Sequence, residues 1–390
     1  MMTKQNMFGH AVCTALVACL GVCGAQDTPA STPAPAPAPA VVPAPAPAAP
    51  APVFSLGTSG ISVSGFVDAY ASYNANTPNG GANSLYNFNT AANSFALNLA
   101  ELRFIRPVDK VGDWGFTAIL GYGNAANMVT ASDPSGDTSL KNVIQAFGSY
   151  KAPIGKGLQL DFGKFVTSNG AEVIETKDNW NYSRSLLFAY AIPYYHFGVR
   201  ASYVFSPKVT TYAMLVNGWN NVTDNNTGKT VGFGGTYSPN SKVSLTENLM
   251  VGPEQTNDNH DYRKLTDTVL SYTLNTAWAF LANYDFGEDR VAGVAQRWQG
   301  AAAYVKYAFN THVALIPRVE WFADPQGFQT GKPQQVREIT MTTEYKVSDN
   351  ILTRAEYRHD RSSAGLFALH SPTRFSKDQD TGTLGVIFMF

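Results

Sequence analysis

Residues 353–360 read Thr-Arg-Ala-Glu-Tyr-Arg-His-Asp, and this stretch decides the fold class. Because side chains along a strand point alternately to its two faces, one face of the stretch is charged and the other is not. The charged face consists of Arg354, Glu356, Arg358 and Asp360. An arginine that faces lipid near the membrane midplane costs about 2–4 kcal/mol, and an unpaired charge in a dry core is penalised as well. The pattern therefore predicts a strand between an apolar surface and an aqueous interior.

The same period of two recurs from residue 60 to Phe390. In residues 313–321, Arg318 and Glu320 lie opposite to apolar side chains, and in residues 337–345 Glu338 and Glu344 do the same. Residues 114–122 place Trp, Phe, Ala, Leu and Tyr on one face. Sixteen such segments are predicted, beginning near residues 61, 94, 113, 141, 157, 195, 208, 229, 241, 262, 276, 298, 312, 336, 350 and 380.

The connections between these segments alternate in length. Short polar turns such as Ser206-Pro207 and Asn310-Thr311 alternate with long connections rich in Asn, Asp and Gly. The long connections lie near residues 76–90, 124–139, 166–193, 220–228, 253–260, 288–296, 324–334 and 361–377. Short periplasmic turns and long outer loops are typical of outer-membrane barrels, whereas a soluble β-sandwich needs no such alternation. We predict an all-β fold, a transmembrane antiparallel up-and-down β-barrel of about sixteen strands.

Aromatic residues near the strand ends support this prediction. Trp114, Tyr122, Tyr237 and Trp321 are examples, and such rings form the two interfacial girdles of membrane barrels. The last segment ends in Phe388-Met389-Phe390 with apolar residues at alternate positions. Phe388 and Phe390 are therefore predicted to form the signal that barrel-assembly machinery reads. The predicted partners also include outer-membrane lipids.

Four segments fit the pattern poorly. In residues 97–103 the apolar set changes parity between Leu99 and Leu102, and in residues 243–251 Glu247 falls among the apolar side chains. Residues 263–274 and 62–73 are similarly ambiguous. We expect β-bulges, or strands that extend above the membrane, to explain them.

The N-terminal residues indicate export. Residues 11–22 form an apolar run that is too short to span a bilayer, and Cys23-Gly24-Ala25 offers a small-residue cleavage site. A lipoprotein signal with Cys23 as the lipidated residue is the alternative, although Val22 is bulky for it. All three cysteines lie in this segment, so cleavage after Ala25 leaves a mature chain without disulfides.

An Ala/Pro-rich segment follows. Alternating proline forbids both helix and sheet, so this segment should form a stiff polyproline-II rod. A periplasmic spacer that contacts peptidoglycan and an inert tether are both compatible with it. The predicted domains are a signal peptide (1–25), an Ala/Pro-rich periplasmic linker (26–56) and the outer-membrane β-barrel (57–390).

Several motifs resemble the OmpL-like β-barrel porin family. They are Gly163-Lys164-Phe165, Gly170-Ala171-Glu172, residues 179–185 (Asn-Trp-Asn-Tyr-Ser-Arg-Ser), His196-Phe197-Gly198 and the charged strand at 354–360. The resemblance covers residues 57–390 and implies a porin in the outer membrane of a Gram-negative-type bacterium.

The longest connection, residues 166–193, is the third long one. By analogy with sixteen-stranded porins it is expected to fold into the barrel and narrow the pore. Its charged residues are Glu172, Glu175, Lys177, Asp178 and Arg184. The alternative is a loop that packs against the wall with its charges merely paired.

The alternation also predicts the residues that line the pore. They are Asp161, Arg200, Asp285, Lys306, Arg318, Glu320, Glu338, Glu344, Arg354, Glu356, Arg358 and Asp360. Since both signs are present, weak ion selectivity is expected. The alternative for many of these residues is a salt bridge that only braces the wall.

We predict a porin for passive diffusion of small hydrophilic solutes, with a homotrimer left open. The alternative is a non-conducting barrel that acts as an adhesin or cell-wall anchor. Scattered histidines, with no zinc-type spacing and no nucleophile elbow, argue against an enzyme, and a hydrolase on the outer face is the remaining enzymatic reading. No cofactor, no metal and no nucleic acid are expected.

Overall fold

The computed structural model describes residues 54–57, 59–133 and 140–390. The predicted signal peptide and most of the predicted linker lie outside the described residues. Among the helices of the described part, none is long and apolar enough to cross a membrane.

Sixteen long strands in the described residues close into one antiparallel barrel. β16 returns to β1 with a register from Thr381↔Asn74 to Met389↔Phe66, so the sheet has no free edge there. The predicted fold class and the predicted sixteen strands are confirmed. The strands are β1 (Ser62–Asn74), β2 (Ser94–Arg106), β3 (Trp114–Tyr122), β4 (Val143–Ala152), β5 (Leu158–Val166), β6 (Tyr195–Ser206), β7 (Val209–Val216), β8 (Thr230–Asn240), β9 (Val243–Pro253), β10 (Tyr262–Thr273), β11 (Trp278–Val291), β12 (Val294–Ala308), β13 (Val313–Asp324), β14 (Gln334–Ser348), β15 (Ile351–Ser362) and β16 (Asp378–Met389).

Short elements occupy the connections. The helix α1 (Asn124–Val129) follows β3, and the connection between β5 and β6 contains a 3₁₀ turn (Thr176–Asp178) and a π-helical turn (Leu187–Ala191). Phe54–Ser55 pairs with the first residues of β1. Phe367–Ala368 and Phe375–Ser376 form a small hairpin between β15 and β16.

One predicted long connection is wrong. Residues 288–296 do not form a loop, because β11 extends to Val291 and β12 begins at Val294. The two residues between them, Ala292 and Gly293, have φ angles of 50° and 76°. Positive φ at both positions is the backbone of a tight type I′ hairpin, whose twist matches that of the strands. Glu288, Asp289 and Arg290 therefore lie on β11 rather than in a loop.

A β-bulge explains the parity change in β2. The register shifts between Asp68 and Ala69 of β1, whose partners in β2 are Leu99 and Leu97, so Asn98 is the extra residue. Asn98 and Leu99 are both fully buried, whereas Leu97 is exposed on the outer surface. A bulge places two consecutive residues against one partner, which shifts the alternation by one position.

The interior of the barrel is not uniformly polar. Leu265, Val269, Ile316 and Trp298 lie on inward faces of β10, β12 and β13 and are almost completely buried. They belong to the same buried apolar cluster as Leu186, Leu187 and Phe188 of the connection between β5 and β6. That connection is therefore packed within the barrel.

Candidate functional site

The connection between β5 and β6, residues 167–194, is called loop 3. Nearly all of its residues are buried, and its hydrogen bonds reach strands on several sides of the barrel. Tyr182 donates from its hydroxyl to Asp68 on β1 at 2.7 Å, and Gly170 donates from its backbone N to Asp267 on β10 at 3.0 Å. Loop 3 therefore lies inside the barrel.

Acceptors on the wall satisfy the backbone N–H groups of loop 3. Glu356 accepts from the backbone N of Tyr182 at 2.7 Å and of Ser183 at 2.9 Å. Glu320 accepts from the backbone N of Leu186 at 2.8 Å. Buried backbone N–H groups need such partners, and irregular backbone at membrane depth is tolerated only when it is buried in protein or lines a cavity.

Arginines on the wall satisfy the carbonyl groups of loop 3. Arg318 donates to the carbonyl of Ser183 at 2.7 Å, and Arg358 donates to that of Arg184 at 2.9 Å. Arg354 donates to the carbonyls of Thr176, Asn179 and Asn181. The charges of β13 and β15 thus hold the loop backbone from one side.

Two ion pairs join loop 3 to parts of the wall that are five strands apart. Glu172 lies 3.1 Å from Arg318 on β13, and Glu175 lies 2.8 Å from Arg103 on β2. Arg318 also lies 3.0 Å from Glu338 and is fully buried. Buried charges of this kind require compensation by partners of opposite sign, because the low-dielectric surroundings penalise an isolated charge.

The other charged residues of loop 3 form their hydrogen bonds and ion pairs within the loop. Arg184 donates to the carbonyls of Val173 and Tyr182, at 3.1 and 2.7 Å. Burial lowers the pKa of Arg184, against the attraction of Glu172. Lys177 and Asp178 pair with each other at 2.6 Å. Of the five predicted loop charges, Glu172 and Glu175 are thus the ones that pair with the wall.

Two inward glycines allow loop 3 to approach the wall closely. Gly385 on β16 lies under the ring of Tyr182, and a Cβ there would overlap with that ring. Gly300 on β12 lies against Leu187, where a Cβ would come within 2.6 Å of the leucine Cδ2. A side chain at Gly385 would push the Tyr182 ring away from the wall, and one at Gly300 would require Leu187 and the neighbouring backbone to move.

All of the predicted pore-lining residues lie on inward faces of their strands. Asp161 and Arg200 form a pair at 2.8 Å between β5 and β6, on the side opposite to exposed Phe162 and Val199. Several others are covered by loop 3 and contact protein. Whether this set lines a conducting path stays a prediction. The nearly fully buried members are Asp161, Asp285, Arg318, Glu320, Glu338, Arg354, Glu356, Arg358, Asp360 and Arg200.

Lys306, Glu344 and Arg354 border a chamber, and Lys306 and Glu344 are less buried than the rest of the set. The chamber has a volume of about 670 Å³ and lies at the short-turn end, between loop 3 and the turns before β13 and β15. Lys306 lies 2.8 Å from Glu344, which Arg354 also contacts at 2.6 Å. Trp180 of loop 3 also lines this chamber. The carboxylate of Glu344 thus contacts two cationic side chains, those of Lys306 and Arg354.

Sequence reasoning missed several residues that hold loop 3. Asn98 donates to Asp68 at 2.6 Å and to Thr176 of the loop at 3.0 Å, but its position in the bulge conceals its direction. Asp267 and Asn283 bind Gly170 and Ala171. The sequence could have indicated these two residues, because each is a polar side chain at an inward-facing position of its strand.

No arrangement in the described residues suggests a metal centre, because no three His, Cys, Asp or Glu side chains converge. The functional arrangement is a barrel whose third loop is bound inside it through backbone contacts and buried ion pairs.

The model of the family described as "Putative beta-barrel porin-2, OmpL-like" matches residues 60–390. The chain belongs to this family. Membership makes it an outer-membrane porin of a Gram-negative bacterium and a channel protein rather than an enzyme. No curated protein sequence matches the chain significantly.

Solved porin structures share the fold of this family member. The trimer form of OmpT from Vibrio cholerae has a TM-score of 0.58 at 10% identity and covers 85% of this chain and 99% of its own. The channel DcaP of Acinetobacter baumannii has a TM-score of 0.54 at 12% identity, covering 86% and 99%. The anion-selective porin from Comamonas acidovorans has a TM-score of 0.58 at 10% identity, covering 85% and 99%. At these identities the likeness concerns the fold alone.

Proposed function

We propose that this porin conducts small hydrophilic solutes by passive diffusion and that loop 3 narrows its channel. The observation that carries the proposal is the attachment of loop 3 to two separate parts of the wall, β13 and β2, through Glu172–Arg318 and Glu175–Arg103. A loop held from two sides keeps a fixed cross-section, and a fixed narrow cross-section selects solutes by size.

The chamber beside Lys306 and Glu344 supports a water-filled path on the short-turn side of loop 3. Charges of both signs border it, and the remaining inward charges are also mixed. A strongly ion-selective pore needs an excess of one sign, so selectivity between anions and cations is weak. The solutes of this channel are small, polar and not restricted to one charge.

The channel functions as a homotrimer in this proposal. The trimer form of OmpT from Vibrio cholerae supports the assembly, since its barrel has the same fold. Outer-membrane lipids surround the trimer, and barrel-assembly machinery inserts each chain by recognising Phe388 and Phe390. The Ala/Pro-rich segment, residues 26–56, provides a periplasmic connection towards peptidoglycan.

One observation favours the competing function, a non-conducting barrel that acts as an adhesin or anchor. Leu186, Leu187 and Phe188 of loop 3 belong to one buried cluster with inward Leu265 and Ile316. A packed apolar cluster across part of the lumen excludes water there. Solutes can then pass only through the polar part of the lumen that the apolar cluster leaves open.

Single-channel recording of the purified protein in planar bilayers separates the two functions. The proposal predicts stepwise conductance for the native protein and larger steps after residues 171–192 are replaced by a short Gly/Ser linker. Conductance steps of the same size in both proteins would contradict narrowing by loop 3 but not the channel itself. A complete lack of steps in both proteins would contradict the channel and support the anchor.

A further inference from the structure

Glu247 on β9 lies on the outer surface of the barrel. Its neighbours on the same face, Leu245 and Leu249, are exposed on the outer surface, as is Glu247 itself. In the register of the sheet, Glu247 lies between Gly235 on β8 and Thr268 on β10. The sequence had marked this residue as a misfit among apolar side chains, and the structure shows that the misfit is real.

The position of Glu247 along its strand separates it from other outward charges. The pairs Glu288–Arg297 and Arg361–Asp378 lie towards the end of the barrel that carries most of the long loops, near the ends of their strands. Glu247 lies four residues into β9, which begins at Val243. With the rise and tilt of barrel strands, that is about 10 Å above the short-turn edge. Tyr237, one of the aromatic residues near the strand ends, pairs with Leu245, which lies two residues closer to the short turn than Glu247 does.

The carboxylate of Glu247 has a polar neighbour but no cation among the described residues. Thr268 donates its hydroxyl to Oε2 of Glu247 at 2.6 Å. No lysine or arginine in the described part of the chain forms an ion pair with it. A charge that faces lipid without a counter-charge is unfavourable, so a cation from outside the barrel would stabilise this site.

A hollow in the outer surface begins at Thr268. Small side chains form its floor, and larger apolar ones form its rim, with a volume of about 530 Å³. Thr268 lies at the edge of the hollow and also touches Glu247, so the carboxylate and the hollow form one continuous surface. The floor includes Ala282, Ala301 and Ala303, and the rim includes Leu270, Val319 and Trp321.

We propose that this surface binds a phospholipid with a primary ammonium headgroup, such as phosphatidylethanolamine. The ammonium group donates up to three hydrogen bonds, and it would supply the counter-charge for Glu247. An acyl chain of the same lipid fills the hollow over the three alanines. A quaternary ammonium headgroup cannot donate hydrogen bonds, and an anionic headgroup is repelled by the carboxylate. The site therefore discriminates between lipids by headgroup chemistry.

Lipid retention measured by native mass spectrometry tests the proposal. The full chain is reconstituted in vesicles that contain equal amounts of phosphatidylethanolamine, phosphatidylcholine and phosphatidylglycerol, then extracted and analysed. The native protein should retain phosphatidylethanolamine over phosphatidylcholine by about fivefold, and Glu247→Gln should abolish this preference. Ala303→Phe should reduce retention of all three lipids, because the ring fills the hollow. Glu288→Gln, at the long-loop end, is the matched control and should leave the preference intact.

Two results would overturn the proposal. One is equal retention of the three lipids, or a preference for phosphatidylglycerol, by the native protein in a correctly folded barrel. The other is a change in the number of chains per particle in Glu247→Gln with lipid retention unaltered, which would assign Glu247 to a contact between copies of the chain. Heat-modifiable migration on a gel verifies that each variant has folded.

Discussion

The guanidinium of Arg318 and the carboxylate of Glu172 lie 3.1 Å apart and join the wall of the barrel to loop 3. Glu172 also accepts hydrogen bonds from Ser185 at 2.7 Å and from the hydroxyl of Tyr304 at 3.1 Å. One carboxylate therefore fixes the fold of the loop and its attachment to β12 and β13. Since both charges are almost completely buried, this relationship is central to the position of the loop.

Glu172→Gln should destabilise the folded barrel by about 3 kcal/mol, because it leaves Arg318 with less compensation in a buried site. Denaturant unfolding in detergent measures the change. Arg297→Met removes an exposed pair with Glu288 and should cost less than about 1 kcal/mol. Equal losses for the two variants would contradict a structural role of the Glu172–Arg318 pair.

Gly385→Ala should displace loop 3, because the new Cβ would overlap with the ring of Tyr182. We expect a changed single-channel conductance and faster proteolysis within residues 167–194. Gly382→Ala on the same strand is the control, since a Cβ at that outward position meets no atom within 4 Å. If both variants behave like the native protein, Tyr182 does not rest on Gly385.

Lys306→Glu should shift the permeability ratio towards cations, because Lys306 borders the chamber and its side chain is 21% exposed. Reversal potentials under a salt gradient measure the ratio. Lys242→Glu places the same charge change in an exposed turn after β8 and should have no effect. A ratio that Lys306→Glu leaves unaltered would remove this residue from the conducting path.

The loop region around Glu254 should lose stability as the pH rises. Burial raises the pKa of Glu254 to about 7 from its ordinary value of 4.5, against the attraction of Arg263. A raised pKa in the folded state stabilises the fold fully below pH 4.5, and this contribution is lost between pH 4.5 and about 7. Protection factors for hydrogen exchange in residues 217–229 and 254–261, which are corrected for the intrinsic rise of exchange with pH, should therefore fall over this range. In Glu254→Gln this fall should disappear, and its persistence would assign the effect to another group.

Deletion of Phe390 should impair assembly of the barrel. Its backbone N donates to Gly65 at 2.9 Å and its carbonyl accepts from Gly65 at 3.0 Å, so the deletion removes these two bonds from the end of the β16–β1 pairing. Phe390→Ala keeps these bonds and tests the ring alone. Heat-modifiable gel migration measures the folded fraction, and native-like migration of the deletion would refute the prediction.

The sequence predicted the barrel because its cause is local. Inward charges such as Arg354 and outward rings such as Tyr357 follow the pleat of a single strand, and this alternation needs no knowledge of the partner strands. Residues 288–296 were wrongly grouped with the long connections rich in Asn, Asp and Gly, whereas the Ala292–Gly293 turn is compact.

The position of loop 3 was predictable only by analogy. Its contacts join residues that are distant in sequence, such as Tyr182 and Asp68, which are 114 positions apart. Nothing near Gly385 in the sequence indicates that a tyrosine will lie on it. The direction of Arg184, which serves the loop rather than the wall, depends on the folded loop itself.

Single-channel conductance of the native chain and of the chain with residues 171–192 shortened tests the central claim most directly. We expect stepwise conductance in both, with larger steps in the shortened chain, because loop 3 occupies part of the barrel that becomes free. Gel migration and trypsin resistance verify that the shortened barrel has folded. A folded barrel that shows no steps in either form would contradict a channel narrowed by loop 3.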